Sequence, residues 1–273
     1  MKVIVCFKEA PDLERMAPAD WETDAALKPD TRFVPTVLNV YDESALEMAL
    51  RLRDAARGRE KTTELIALTV DSVSPPRMLK NLLALQYDRV VKIESSLDLR
   101  FHALAVAKLL AAFIKTQDDA PVIFCGVRSN EGDNGKTPLL LAEMLGIPCI
   151  TPVIDATLAA PDESLDVTVD IDGWRVGQRV RAPVVLAVGN VAGSSLRIPT
   201  LKDKMRVKGR EPEMILPAGI DVEEIAAVMA REEELVSLKT ERQKRDTAFV
   251  RGQDMAETAA IFYNQYLKKR AGI

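Results

Sequence analysis

Short apolar segments alternate with amphipathic segments along the first half of the chain. The runs are short and rich in β-branched residues, which is typical of buried strands, and they cover Lys2–Phe7, Glu64–Val70, Arg89–Ile93 and Pro121–Gly126. The stretches between them repeat apolar residues at helical spacing and cover residues 43–54, 75–86 and 99–115. Strands that alternate with helices in this way predict an α/β fold with a mostly parallel sheet, covered by helices on both faces.

The first predicted helix carries acidic residues at its start and along one side. Asp42 is the expected N-cap, because its side chain can accept a hydrogen bond from the first turn. Glu47 and Arg51 are four residues apart, so we expect an ion pair on the solvent side of this helix.

The connections that follow four of the predicted elements are candidates for one pocket. Ligands of mostly parallel sheets bind beyond the carboxyl ends of the strands. The loops after Phe7, Leu38, Val70 and Gly126 would all lie at that edge.

The stretch from Pro121 to Thr151 combines a strand, a glycine-rich loop and a helix with a sharp start. Thr137 is the expected N-cap, Pro138 occupies the first helical position, and Gly146 ends the helix. This arrangement predicts that the preceding loop meets the N-terminus of a helix.

That loop, residues 129–136, has the composition of a phosphate site. Gly132 and Gly135 let the backbone turn its N–H groups toward an anion, and Lys136 adds a cation. The positive end of the helix dipole favours the same ligand. The loop therefore predicts phosphate binding, with an ordinary strand-to-helix connection as the alternative.

Two positions of the same stretch argue against a P-loop. Gly135, Lys136 and Thr137 resemble the end of that motif, but Asn130 stands where it requires a glycine. Pro138 then follows directly, inside what would already be the helix.

The hydrophobic pattern is different in the second half of the chain. Three segments either alternate between apolar and polar residues or are apolar throughout: Leu165–Ile171, Trp174–Val180 and Val184–Val188. Asp172-Gly173, between the first two, is a typical hairpin turn. We expect these three segments to form an antiparallel addition to the sheet.

A basic segment follows them. It places five cations within nine residues, opposed only by Asp203, at Lys202, Lys204, Arg206, Lys208 and Arg210. It is either a solvated charged helix or a docking surface for an acidic partner, in which Leu201 is an exposed apolar anchor.

The last part of the chain predicts an arm. Residues 238–253 are charged and poor in core residues, and a helix follows over Asp254–Arg270, with Asp254 and Glu257 as a capping box. We expect a main domain over residues 1–236 and an arm over residues 237–273. The apolar stripe of the last helix either folds back on this domain or clasps a second subunit.

Composition limits the function further. The chain has 273 residues, a net charge of −4 and three cysteines, each within an apolar run, which favours reduced thiols in a cytoplasmic protein without a signal peptide. The negative net charge disfavours non-specific nucleic-acid binding. His102 is the only histidine, and no Ser/His/Asp set or metal-binding spacing occurs. The chain therefore does not resemble an enzyme that makes or breaks bonds by itself.

These residues together resemble the beta subunit of electron transfer flavoproteins along nearly the whole chain. The resemblance is carried by VCFKEAPD at 5–12, NVYDESALEMALRLRD at 39–54, GVRSNEGDNGKTPLLLAEMLGIPCIT at 126–151, RAPVVLAV at 181–188 and RIPTLKDKMRVK at 197–208. It implies a Rossmann-like, adenine nucleotide alpha hydrolase-like fold and an electron carrier rather than an enzyme.

The resemblance also implies cofactors and partners. The chain would pair with an alpha subunit that holds most of a redox-active FAD, and it would itself hold an AMP, or a second FAD if the complex bifurcates electrons. Flavin-dependent dehydrogenases would supply electrons, and a quinone oxidoreductase or another acceptor would receive them. Neither nucleic-acid binding nor direct membrane insertion is implied.

Site residues follow from the same resemblance, position by position. Nucleotide contacts would fall on Cys6, Asn39, Val40, Tyr41, Asp42, Val70, Ser129, Asn130, Glu131, Gly132, Asp133, Asn134, Gly135, Lys136, Thr137, Pro138, Leu139 and Leu140. Docking of dehydrogenases would fall on Leu201, framed by Lys202, Lys204 and Arg206, and the C-terminal arm would wrap around the alpha subunit.

The chain departs from the family pattern in the phosphate loop. Lys136, Thr137 and Pro138 stand where the family usually has glutamine, valine and glycine, so Lys136 would add a charge near the phosphate. The turn KEAPD is closer to nitrogen-fixation-linked and bifurcating members, which keeps both AMP and FAD open. The alternatives are a stand-alone nucleotide-binding or hydrolysing protein of the same fold, with Glu131 and Asp133 as the nearby acids, and an AMP sensor.

Overall fold

A computed structural model describes residues 1–70, 76–117, 119, 121–129, 132–159, 164–189, 191, 195–216, 222–231, 235–238 and 247–271. Its strands are β1 Lys2–Cys6, β2 Glu9–Pro11, β3 Thr36–Leu38, β4 Glu64–Val70, β5 Arg89–Ile93, β6 Val122–Gly126, β7 Cys149–Leu158, β8 Leu165–Ile171, β9 Trp174–Val180, β10 Val184–Val188 and β11 Glu213–Ile215. Its main helices are α1 Val40–Arg57, α2 Pro76–Ala84, α3 Ala103–Lys115, α4 Thr137–Leu145, α5 Leu201–Arg206, α6 Val222–Met229 and α7 Met255–Phe262.

Nine strands form one sheet in the order β11-β5-β4-β1-β6-β10-β7-β8-β9. All pairs from β11 to β7 are parallel, and β7-β8 and β8-β9 are antiparallel. The strands β2 and β3 pair separately. The predicted α/β architecture with a mostly parallel sheet and an antiparallel addition is therefore confirmed.

The period-2 pattern of the central strands divides the core into two layers. Val3 and Val5 of β1 face one layer, which includes residues of α1 and α2, whereas Ile4 and Cys6 face the other, which includes residues of α3 and α4. All four side chains are buried. The sheet is thus covered on both faces, as parallel sheets require. No helix of the described chain is long and apolar enough to cross a membrane.

The assignment of Val184–Val188 to the antiparallel addition was wrong. This strand, β10, lies between β6 and β7 and is parallel to both. Each of its five side chains is fully buried. A strand that is apolar at every position belongs in the middle of a covered parallel sheet, whereas only β8 and β9 form the hairpin.

Several helix starts also differ from the predictions. Helix α1 begins at Val40 with Asn39 as N-cap, so Asp42 lies inside the first turn. Helix α4 has Lys136 as N-cap, which leaves Thr137 and Pro138 within the helix. Helix α3 begins only at Ala103. Pro75, the predicted start of α2, lies outside the described residues.

Glu47 of α1 was wrongly placed on the solvent side. It is 5% exposed and is held by Arg197, whose Nη2 lies 2.8 Å from Oε1 of Glu47 and whose backbone N–H donates to Oε2 at 3.1 Å. The predicted ion pair with Arg51 also forms, at a longer distance of 3.4 Å between Nε and Oε1. Burial alone would raise the pKa of Glu47, but the hydrogen bonds and charge of Arg197 outweigh it and lower the pKa.

This ion pair fixes the segment that leads into α5. Arg197 also donates from Nη1 to Asp54 at 2.7 Å, and the N–H of Leu196 donates to Glu43 at 3.1 Å. Helix α5 then starts with a capping box between Thr200 and Asp203. The acidic side of α1 therefore positions the basic segment.

The chain divides into two compact units, Met1–Val236 and Ser237–Ile273. In the second unit, Oδ1 of Asp254 accepts from the N–H of Glu257 at 2.8 Å, as an N-cap does. The Glu257 carboxylate accepts from the N–H of Gln253 instead of completing the predicted box with Asp254. After α7 the chain continues through a π-helical turn, Tyr263–Leu267, into the helical residues Lys268–Ala271.

Removing the guanidinium of Arg197 should destabilise the first unit. In Arg197→Ala, Glu47 stays buried without its main partner, so we expect the free energy of unfolding to fall by about 2–3 kcal/mol. Arg51→Ala removes the weaker contact to the same carboxylate and should cost about 0.5 kcal/mol. Urea unfolding measures both, and equal losses in the two variants would contradict the central role of Arg197.

Candidate functional site

The predicted site segments lie at one edge of the sheet. Strands β4, β1 and β6 are parallel neighbours, with Cys6 opposite Leu68 and Val5 opposite Phe124. Their carboxyl ends therefore coincide, and this brings Cys6, Val70 and Gly126 to the same edge. Cys6 is buried and Val70 half-buried. This is the edge at which sheets of this class bind ligands.

The start of α1 packs directly on the end of β6, at Gly126. A Cβ atom on this glycine would lie 2.4 Å from Oδ1 of Asp42, 2.8 Å from Cβ of Tyr41 and 3.1 Å from Nδ2 of Asn39. These distances are too short for any side chain at position 126. Gly126 is therefore what allows three predicted site residues to reach the strand end.

Asp42 ties this edge together through both carboxylate oxygens. Oδ1 accepts from the N–H of Gly126 at 2.7 Å, and Oδ2 accepts from the N–H of Lys8, just beyond β1, at 2.9 Å. Burial raises the pKa of Asp42 to about 6, against the opposing effect of hydrogen bonds from Asn39, Gly126 and Lys8. In this structure its carboxylate positions the surrounding loops.

Asn39 and Tyr41 hold the loop that follows β6. Nδ2 of Asn39 donates to the carbonyl oxygen of Arg128 at 2.9 Å. Nε of Arg128 donates to the hydroxyl of Tyr41 at 3.0 Å, and its guanidinium lies 5.4 Å from the centre of the Tyr41 ring. The N-terminal turn of α1 thus fixes the beginning of the glycine-rich loop.

Sequence reasoning missed Arg128 and Gly126 as site residues. Nε of Arg128 also lies 3.2 Å from Oδ1 of Asp133, so it offsets a negative charge within the phosphate loop. Both residues belong to the quoted stretch 126–151. The signal that could have found them is their place at the end of β6, where Gly126 is the last residue of the strand and Arg128 directly precedes Ser129.

The glycine-rich loop turns through left-handed backbone conformations. The φ angles are +80° at Gly132, +41° at Asp133 and +63° at Gly135. Only glycine adopts such angles without strain, so the two glycines suit their positions. Oδ1 of Asn134 accepts from the N–H of Lys136 at 2.9 Å and shapes the turn into α4. Asn130 and Glu131, also predicted as site residues, lie outside the described residues.

Helix α4 follows this loop directly, and its inner side is buried. The side chain of the N-cap residue Lys136 makes no capping hydrogen bond, and Pro138, Leu141 and Ala142 are buried. Leu139 is 52% exposed, and Thr137 and Leu140 are half-buried. Ser129 and residues 132–136 thus lead into the start of α4, and residues 137–140 form its first turn. Val40, 38% exposed, lies in the first turn of α1.

The cysteines behave as core thiols. Cys6 and Cys125 are buried on adjacent strands, and none of the three cysteines forms a disulfide. A hydrogen bond with Cys6, together with burial, raises the pKa of the Cys125 thiol, and burial raises that of Cys149 to about 11. Thiols held in this protonated form are poor nucleophiles.

The predicted docking residues lie on α5. Leu201 is 77% exposed, and the neighbouring side chains of Met205 and Ile198 are 60% and 87% exposed. Lys202 and Arg206 are exposed on the same short helix. Apolar side chains of this size on a charged surface indicate a contact surface.

Comparison with known proteins identifies the family. The model of the electron transfer flavoprotein domain matches residues 31–211. The chain belongs to the electron transfer flavoprotein beta-subunit family. Its members are electron-transfer subunits that pair with alpha subunits, and flavin is associated with the complex.

Three relatives show the extent of this similarity. YgcR of Escherichia coli (strain K12), a candidate electron transfer flavoprotein subunit, is 32% identical over 99% of both chains. The electron transfer flavoprotein subunit beta of Megasphaera elsdenii is 29% identical over 77% of this chain and 76% of its own. CarD, a subunit of the caffeyl-CoA reductase-Etf complex of Acetobacterium woodii, is 28% identical over 57% of this chain and 56% of its own.

Asp42 should make stability depend on pH. The folded chain keeps a proton at Asp42 up to about pH 6, whereas an exposed aspartate releases it near 3.8. At pH values between 3.8 and about 6, the chain therefore takes up a proton at Asp42 when it folds. The contribution of Asp42 to the free energy of unfolding consequently falls as the pH rises through this range. Asp42→Asn cannot titrate, so relative to the parent chain its free energy of unfolding should rise by about 2 kcal/mol between about pH 4.5 and about pH 7.

Urea unfolding at the two pH values measures this difference. Asp119→Asn, at a residue whose side chain is 75% exposed, removes one carboxylate outside the site and is the control. If the free energies of unfolding of Asp42→Asn and the parent chain differed by the same amount at both pH values, the raised pKa of Asp42 would be contradicted.

Proposed function

We propose that this chain is the beta subunit of a heterodimeric electron transfer flavoprotein and that it holds an adenine nucleotide at the carboxyl edge of its sheet. The observation that carries the proposal is the convergence of the glycine-rich loop, the start of α4 and the start of α1 at that edge. The family membership gives this convergence its functional context.

The residues present fit the phosphate of a nucleotide. The loop supplies backbone N–H groups in left-handed conformations at Gly132 and Gly135, and the dipole of α4 favours an anion at its N-terminus. Lys136 adds a cation at the N-cap position. Asp133 would repel a phosphate, but its charge is offset by Arg128 at 3.2 Å. This donor set is the one that phosphate sites use.

The rest of the nucleotide would contact the ends of β1 and β4 and the first turn of α1. Cys6 and Val70 supply apolar strand ends, and Val40 and Tyr41 supply side chains of the helix. Asn39 and Asp42 act indirectly, because their hydrogen bonds hold the backbone of Arg128, Lys8 and Gly126 in place. The protein would thus orient the nucleotide and exclude water from it.

AMP and FAD are both candidates for the nucleotide in this chain. AMP would be structural, whereas a second FAD would indicate a bifurcating complex. FAD, in either subunit, supplies one- and two-electron transfer when bound, and the protein supplies binding, orientation and electrostatics. The proposed path runs from flavin-dependent dehydrogenases to a quinone oxidoreductase or another acceptor.

Docking of those partners is assigned to α5. Leu201 is the proposed apolar anchor, and Lys202, Lys204 and Arg206 surround it with positive charge. The arm, residues 237–273, is proposed to clasp the alpha subunit. Met255 and Phe262 of α7 are 90% and 46% exposed, which gives this unit apolar surface for a partner.

Nucleotide hydrolysis by the chain alone is less well supported. It requires a carboxylate base close to the loop. Asp133 is paired with Arg128, and Glu131 lies outside the described residues. A chain that hydrolyses ATP without an alpha subunit would nevertheless overturn the carrier proposal.

Release of bound cofactors tests the proposal directly. The chain is co-expressed with its alpha subunit, and the purified complex is treated with acid or heat before chromatography. One FAD and one AMP per heterodimer would support a conventional carrier, and two FAD would support a bifurcating one. A colourless chain without an adenine nucleotide would contradict the proposal.

A glycine substitution locates the nucleotide in the loop. In Gly135→Ala the new Cβ strains a backbone held at φ +63°, so we expect the N–H groups of the loop to move and the nucleotide content to fall at least about fivefold. Gly146→Ala introduces the same strain at the other end of α4, where φ is +66° and nothing lies within 4 Å of the new Cβ.

Both substitutions should cost about 1 kcal/mol of stability, which makes them a matched pair. Chromatography of the released nucleotide compares them. Equal nucleotide content in the two variants would show that the loop does not hold the phosphate.

A further inference from the structure

A second anion site is suggested by a cleft away from the carboxyl edge. It lies between α2 and the segment from α5 to Glu211 and has a volume of about 380 Å³. Its lining consists of Arg77, Lys80, Asn81, Lys204, Met205, Val207, Lys208, Gly209, Arg210 and Glu211. None of these residues belongs to the candidate nucleotide site.

The charges of the lining are strongly one-sided. Five of the side chains are cationic and one is a carboxylate, in a chain whose net charge is −4. Glu211 is engaged by Lys80 at 2.9 Å, and Nη2 of Arg210 donates to the carbonyl of Asp88 at 2.7 Å. Such a concentration of like charge attracts anions from solution.

Three cations of the cleft are not used by the fold. Arg77, Lys204 and Lys208 form no ion pair or side-chain hydrogen bond with any residue that the structure describes. They come from both walls, Arg77 from α2 and the two lysines from α5 and the turn after it. The cleft therefore offers three cations from opposite sides to one ligand.

Both walls are held in place by contacts outside the cleft. Leu79, Leu82 and Leu83 bury the other side of α2 in the core. The segment before α5 is fixed by Arg197 on Glu47, and α5 itself starts with the capping box of Thr200 and Asp203. A ligand would thus meet cations on preformed elements and would spend little free energy on ordering them.

We propose that this cleft binds a small phosphorylated molecule that carries at least two phosphate groups. Its concave volume lies in the range of small-molecule sites, and its three unused cations match the charge of a diphosphate or triphosphate. Met205 and Val207 add apolar side chains to the lining. This proposal does not depend on a nucleotide at the carboxyl edge.

Titration calorimetry with inorganic tripolyphosphate at low salt tests the proposal on the full chain. We expect saturable binding that weakens at least about tenfold in the double variant Arg77→Gln/Lys208→Gln, because two charge-assisted contacts are lost. Lys204→Gln should weaken it by a smaller factor. Raising the salt concentration should weaken binding in the parent chain.

The control is Lys115→Gln/Arg175→Gln, which removes one lysine and one arginine as well. Lys115 ends α3, on the other face of the sheet, and Arg175 lies on β9 at the end of the sheet. Binding by this control should stay within about twofold of the parent chain, because only diffuse charge is lost. Equal weakening in both double variants, or no saturable binding in the parent chain, would overturn the proposal.

Two further outcomes separate this cleft from other sites. If Lys136→Gln abolishes tripolyphosphate binding and the cleft variant does not, the ligand occupies the glycine-rich loop and the cleft proposal fails, while the proposed nucleotide site gains support. If a polyglutamate peptide binds more tightly than tripolyphosphate and depends on Arg77 and Lys208, the cleft is a protein-docking surface and the proposal is equally overturned. Urea unfolding confirms that the variants are folded.

Discussion

The buried carboxylate of Asp42 is the interaction on which the candidate site depends. It accepts backbone hydrogen bonds from Lys8 and Gly126, and thereby joins α1 to the ends of two parallel strands. The missing side chain at Gly126 makes this approach possible. Burying a carboxyl group costs free energy, as its raised pKa reflects, and two N–H donors offset part of that cost. The same two hydrogen bonds hold the surrounding loops in place.

The general architecture was accessible from the sequence because it rests on hydrophobic periodicity. Strands such as β1 and β6 and helices such as α1 and α3 are strongly patterned, and their existence and type are predicted correctly. Val184–Val188 was misplaced because its pattern was grouped with that of its neighbours in sequence. Its uninterrupted burial shows that it belongs between β6 and β7, and this order depends on contacts distant in sequence.

Long-range polar contacts explain the other failures. The predicted ion pair between Glu47 and Arg51 forms, but the local spacing does not reveal that Glu47 is buried and that its main partner, Arg197, lies far along the chain. Aspartate is a residue type that often caps helices, but the N-cap of α1 is Asn39. Asp42 instead accepts hydrogen bonds from two other segments of the chain. Local spacing does not reveal such partners. The glycine-rich loop was easier to predict, because its signals lie within one short stretch.

Helix α1 links the two surfaces to which function is assigned. Its first turn shapes the candidate nucleotide site through Asn39 and Asp42, whereas Glu47, farther along the same helix, holds Arg197 and thus the approach to α5. One rigid element can therefore keep a docking surface and a cofactor site at a constant separation.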